Sequence, residues 1–183
     1  MLNDQSIILG LDISTSCTGF SVLRYDGTVI DIGHLDLSKC DDLWSKVDII
    51  NSWILTLPNC YCISHIFVEE ALKSFRPGFS SASTLSLLSR FNGIVCCLVR
   101  QALRVDPELI GATTARTTCG IKVKKGKANG PGKEQVFRHV TSLMLIRDWP
   151  TGRTGKVKDF CYDEVDSYVI AEAGRRILNS RGK

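Results

Sequence analysis

Four acids in this chain stand where an ordinary fold has little use for charge. Asp12 closes the apolar run "IILGLD", Glu69 closes "HIFVE", and Asp163 and Asp166 lie three apart in "YDEVDSYVIAEAG". Each alone has a plain structural use: Asp12 as a turn cap, Glu69 or Glu70 as a surface acid, Asp163 as the N-cap of a helix. Brought together, four carboxylates repel one another strongly unless cations neutralise them. Oxygen-only ligands, with no cysteine or histidine among them, suit Mg²⁺ or Mn²⁺ better than zinc. Two such ions a few ångströms apart clamp the attacking and leaving oxygens of a phosphodiester displacement. The chemistry these acids could do together is phosphodiester hydrolysis.

For the acids to meet, the elements that carry them must be neighbours. Residues 6–12 read as a buried strand, Gly19 to Tyr25 alternates, and Asp26-Gly27 marks a hairpin into "TVIDIGHLDL", which makes an antiparallel meander. Leu43, Val47, Ile50, Ile54 and Leu57 have helical spacing, and Pro58 is expected to end that helix. "ISHIFVEE" is apolar on both faces, as a central strand flanked by helices would be. Residues 81–104 predict a long helix, apolar nearly all round, that needs cover both in the core and against a partner chain. A short strand after Pro107, a short helix, a glycine-rich basic loop and a helix from about Lys133 to Ile146 follow. Asp148 to Lys158 reads as a loop, and 162–179 as the last helix.

That order implies one mixed α/β domain over residues 1–183. Sites in such sheets form outside the carboxyl ends of the strands. Asp12 and Glu69 then lie side by side if the first and fourth strands pair. A last helix packing Val165, Val169 and Ala173 on the sheet would turn Asp163 and Asp166 toward them.

The composition, 44% hydrophobic and 23% charged, is that of an ordinary globular protein. Apolar stretches are broken by polar residues short of a membrane span, so no membrane contact is expected. "MLNDQS" carries no secretory pattern, and an intracellular, cytoplasmic location is expected. Eight cysteines contain no C-x-x-C pair, which favours reduced thiols serving as small core hydrophobes. The net charge of +4 is unevenly spread: between Glu108 and Glu134 there is no acid, but Arg116, Lys122, Lys124, Lys125, Lys127 and Lys133. Such a segment suits a polyanion, because cations that neutralise phosphates release condensed counterions; a solvated surface loop is the equal alternative.

Together these segments resemble the RuvC family of Holliday-junction resolvases, within the RNase H-like superfamily. "IILGLDIS" resembles the family's opening strand with its first metal-binding aspartate, "FVEEA" the segment with the second acid, and "DEVDSYVIAEA" the helix with the last two. The resemblance implies a mixed five-stranded sheet flanked by helices, with Asp12, Glu69, Asp163 and Asp166 holding two Mg²⁺. "GKEQVFRHV" is similar to the family's DNA-contacting turn and helix, which gives Lys133 that role. "SSASTLSLLSRFNGIVCCLV" is similar to the helix of the family's homodimer interface, which gives Leu88, Phe91, Val95 and Leu98 to it.

The chain also departs from the family. Ile13-Ser14 replaces the usual Pro-Gly, and Leu72 stands where an aromatic wedge is expected, with Phe75 near enough to substitute. Cys119 stands near the place of a second lysine, with Arg116 or Lys122 available to compensate, and the basic loop is longer than in typical bacterial members. Viral and organellar branches vary in such places, which fits a phage origin.

The implied activity is a homodimeric Mg²⁺-dependent endonuclease that resolves four-way DNA junctions by paired nicks, leaving 5′-phosphate and 3′-hydroxyl ends. Lys133, Arg116, Lys122, Lys124, Lys125 and Lys127 would grip phosphates, and Arg76 would line the junction side. No segment specifies a helicase partner or a cleavage-site preference. Three other readings use the same residues. An RNase H-like nuclease acting on RNA or flaps shares all four acids. An ATP-binding domain of the sugar-kinase and actin type would use "LDISTSCTGFSVL" as a phosphate hairpin, but needs two such domains. A catalytically silent junction-binding protein would have no need of the intact acid set.

Overall fold

The computed structural model describes residues 6–71, 82–145 and 147–181, without the side chain of Lys127. Strands β1 (Ile7–Asp12), β2 (Cys17–Arg24), β3 (Val29–Asp36), β4 (Ile63–Glu69) and β5 (Pro107–Ile110) form one sheet in the order β3-β2-β1-β4-β5. The first three strands are antiparallel, while β4 runs parallel to β1 and β5 parallel to β4. The strands β1 and β4 are therefore neighbours, and their acids end at the same edge of the sheet.

The apolar runs become strands because both faces of the sheet are covered. On one face Leu9, Leu11, Val22, Ile66 and Val68 are buried under α1 (Leu43–Ile54) and α3 (Ala82–Leu103). On the other, Ile8, Leu23 and Phe67 pack with residues of α4 (Ala112–Thr118), α5 (Gly132–Leu143) and α6 (Phe160–Arg181). Helix α1 starts where Asp42 caps it, its carboxylate accepting from the amides of Trp44 and Ser45 at 2.7 and 3.0 Å. Pro58 does not end that helix. It sits in the first turn of a separate short helix, α2 (Leu57–Cys60), where its missing N–H leaves no hydrogen bond unmade.

Helix α3 corrects two expectations. Its 22 residues are long and apolar enough to cross a membrane by length and composition, although the sequence reading placed every apolar stretch short of that. Its core side is covered within the chain, while Leu87 and much of its first half stay exposed. Phe91, Val95 and Val99 are fully buried in the chain's own core, so Phe91 and Val95 are unavailable to a second copy. Leu98 is half-buried against the same core. Unbroken apolarity hid the helical period that separates core from surface.

The cysteines also differ from expectation. Cys119 and Cys161 are buried, but Cys60, Cys62 and Cys97 are exposed, and all eight are unpaired thiols.

Helix α6 lies directly on β1 and β2, and small residues set that approach. A Cβ on Gly10 would stand 2.5 Å from the Ser167 carbonyl oxygen and 2.6 Å from the Ala171 Cβ. One on Gly19 would stand 2.1 Å from the carbonyl oxygen of Asp163. The buried hydroxyls of Ser21 and Ser167 share a hydrogen bond of 2.8 Å, fixing the helix along the strand. The face nearest the sheet is thus Ser167 and Ala171, not the expected Val165, Val169 and Ala173. Bulky side chains cannot fit so close an approach. The Cys119 thiol, at the end of α4, donates to the Val169 carbonyl at 3.6 Å.

A buried ion cluster fixes the middle of α6. Glu172 accepts from Arg175 at 2.7 and 2.9 Å and from Arg176 at 2.7 Å, while the two arginines reach Tyr25 O and Thr118 O. Burial pushes the Glu172 carboxyl up, but the two guanidinium groups outweigh it and hold it below its ordinary value. A depressed folded value contributes stability above the ordinary glutamate range, and that contribution is lost as pH falls through the folded value. Glu172→Gln should therefore cost about 2 kcal/mol near neutral pH, measured by urea unfolding. The gap between variant and wild type should close as the solution is acidified.

Candidate active site

All four acids reach one cleft. Its volume is about 650 Å³, and Asp12, Glu69, Asp163 and Asp166 line it with Arg116, Lys133, Ser14 and Ser16. Asp12 is placed by the last rung of the β1–β2 ladder, opposite Gly19. Glu69 ends β4, and the Asn92 amide of α3 holds its backbone carbonyl at 3.1 Å. Asp163 and Asp166 lie in the first two turns of α6. The turn after Asp12 is organised by a side chain: the Ser14 hydroxyl donates to Cys17 O at 2.8 Å and accepts from the amides of Ser16 and Cys17.

The electrostatics are those of crowded acids. Burial, then repulsion by Glu69, Asp166 and Asp163, pushes the Asp12 carboxyl well above its ordinary range. Glu69 is pushed up to about 7, by burial first and Asp166 next, against the pull of Arg116 and Lys133. Asp166 is raised mainly by burial, although Arg116 and Lys133 oppose the shift. Two cations offset part of this charge. Lys133 Nζ donates to Asp163 Oδ1 at 3.1 Å, and Arg116 Nη2 reaches Asp166 Oδ1 at 3.4 Å.

Among the described residues, no three acid, histidine or cysteine side chains form a closed metal-ligand set as they stand. The donor chemistry nonetheless fits a hard divalent cation: oxygen atoms only, lining one cleft, and short of positive charge.

No protein-family model matches this sequence, and no curated protein matches it. Solved structures do. Thermus thermophilus RuvC in complex with Holliday junction substrate superposes with a TM-score of 0.65 at 14% identity, over 96% of each chain. The yeast mitochondrial Holliday junction resolvase Ydc2 gives 0.61 at 15% identity, over 96% of this chain and 80% of that one. The fowlpox virus resolvase, solved with Holliday junction DNA, gives 0.50 at 13%, over 94% and 98%. The chain has the RuvC fold.

Within that fold the other sequence-predicted residues separate. Lys133 and Arg116 stand in the cleft beside the acids. Lys122 and Lys124 line a second groove of about 640 Å³ with Arg138 and His139, and Lys125 is exposed. Gln135 of α5 clips this loop down, accepting from the Lys124 amide at 2.9 Å and donating to the carbonyls of Lys124 and Gly130. Leu72, Phe75, Arg76 and the side chain of Lys127 lie outside the described residues. Leu88, assigned from sequence to a dimer interface, lines the cleft.

Cys119 is a core residue; of the two cations named to compensate for it, Arg116 pairs with Asp166 and Lys122 lines the second groove. Sequence reasoning missed Lys156, Asp159 and Tyr162 on the cleft wall. Their signal was their closeness in sequence to Asp163: Tyr162 lies in the first turn of the same helix, and Lys156 and Asp159 lie just before it.

Proposed function

We propose that this protein is a structure-selective endonuclease that resolves four-way DNA junctions inside the cell, as a homodimer that cuts two opposed strands. The observation that carries this reading is the convergence of Asp12, Glu69, Asp163 and Asp166 in one cleft of a RuvC fold, with Lys133 on Asp163. The solved relatives named above are Holliday-junction resolvases, and two of them were captured on junction DNA. A twofold dimer suits a substrate of matching symmetry.

The four acids would hold Mg²⁺, with Mn²⁺ able to substitute. Such ions supply Lewis-acid stabilisation of the phosphoryl oxygens and activation of water. The protein's own groups do the rest. Lys133 carries a flexible positive charge at the mouth of the acid cluster, where it neutralises a phosphate oxygen on the strand to be cut. Arg116 holds the Asp166 carboxylate in orientation through its guanidinium. Ile13, buried beside Asp12, lowers the local dielectric on one side of the acids and strengthens the charge interactions there.

The test is incubation with a synthetic four-way junction and Mg²⁺, mapping both nicks on labelled strands. Symmetric paired nicks with 5′-phosphate ends are expected, with duplex, flap and RNA–DNA hybrid cut more slowly. Preference for hybrid or flap would replace this reading with another RNase H-like nuclease.

A further inference from the structure

The segment before α6 is more than a connection. Thr151 and Val157 pair as an antiparallel bridge, Gly152 N donates to Lys156 O at 2.7 Å, and Lys158 N donates to Pro150 O at 3.1 Å. The result is a small hairpin that projects its side chains outward. Between Thr151 and Lys158 there is no acid, and the charged residues are Arg153, Lys156 and Lys158. All three are exposed. Lys156 lines the acid cleft together with Lys133, so the hairpin borders the same opening as the glycine-rich loop.

Its own fold uses these charges little. Among the described residues Arg153 makes no ion pair, and Lys156 meets only Asp159 at 3.9 Å, with side chains 63% and 92% exposed. Lys158 lies over the Phe160 ring at 5.8 Å. Exposed pairs of that kind contribute little to stability, so three cations are left free for a ligand.

We infer that the 151–158 hairpin is a second phosphate-binding arm, which holds the DNA backbone on its own side of the cleft while Lys133 and the glycine-rich loop hold it on theirs. This rests on the nuclease reading above. Three cations on a short hairpin beside a cleft that takes a phosphodiester match the repeat of charge along a nucleic-acid strand, and such contacts position a backbone without reading its sequence.

The experiment measures junction binding over a range of salt, in the full-length Asp12→Asn chain so that no substrate is cut. Arg153→Gln, Lys156→Gln and Lys158→Gln together are compared with a charge-matched set at the opposite end of the sheet, Arg24→Gln, Arg100→Gln and Arg104→Gln. The hairpin set should lose about tenfold or more in affinity, and its slope of log affinity against log salt should flatten by about 2 to 3. The distant set should change both much less. Exchanging the three for other cations (Arg153→Lys, Lys156→Arg, Lys158→Arg) should restore binding. Unchanged binding in the hairpin set, or equal loss in both sets, overturns the arm and leaves the nuclease reading standing. A parent chain that does not bind the junction overturns both.

Discussion

Asp12→Asn should lower junction cleavage by on the order of a thousandfold, while junction affinity stays within about twofold because the phosphate contacts lie on other residues. The exchange keeps shape and removes charge at a carboxylate that is buried and faces three others. It takes away one of the donors expected to hold the cation, and with it the stabilisation of charge on the reacting phosphate. The folded protein should not suffer. The exchange removes a charge that Glu69, Asp166 and Asp163 repel, so the melting temperature should hold or rise. Cleavage by the purified variant at the wild-type rate would refute the assignment of the acids, whatever the binding result.

The second large effect is expected from a residue with no side chain. Gly19→Ala would put a Cβ within 2.1 Å of the Asp163 carbonyl oxygen. That oxygen belongs to backbone, so no rotamer change relieves the clash; β2 or the first turn of α6 must move. Overpacking of this kind costs about 1 to 3 kcal/mol, and the upper end is expected because the displaced atoms are main chain. The displaced turn carries Asp163, so cleavage should fall further than the loss of stability explains. Urea unfolding and junction cleavage measured on the same preparation check both parts. A variant with wild-type unfolding midpoint and wild-type rate would show that β2 and α6 are not held as described.

Much of this was legible in the chain. The strands β1 and β4 announce themselves as apolar runs ended by an acid, but that they pair, which joins Asp12 to Glu69, was a condition the sequence left open and the sheet order supplies. The acid pair on α6 was legible from spacing alone. Where helices are covered on more than one side, the sequence was less informative. α6 buries residues all round, including Glu164, Asp166, Ser167 and Glu172, so no apolar stripe marks its sheet-facing side. The core side of α3 was hidden for the same reason. The role of Arg116 was visible only as one member of a basic window; its partner Asp166 is 50 residues away, and no local pattern links the two. The basic hairpin was read as a plain loop because a single bridge leaves no periodic trace.

The last helix has a consequence for how the protein is made. Asp163 follows Asp12 by 151 residues, so the two halves of the acid cluster leave the ribosome far apart in time. The emerging meander carries Asp12, and β4 brings Glu69, yet the cluster is complete only once α6 settles onto β1 and β2. Under the proposed nuclease reading, a chain stalled or clipped upstream of that helix would carry only half of the acid cluster.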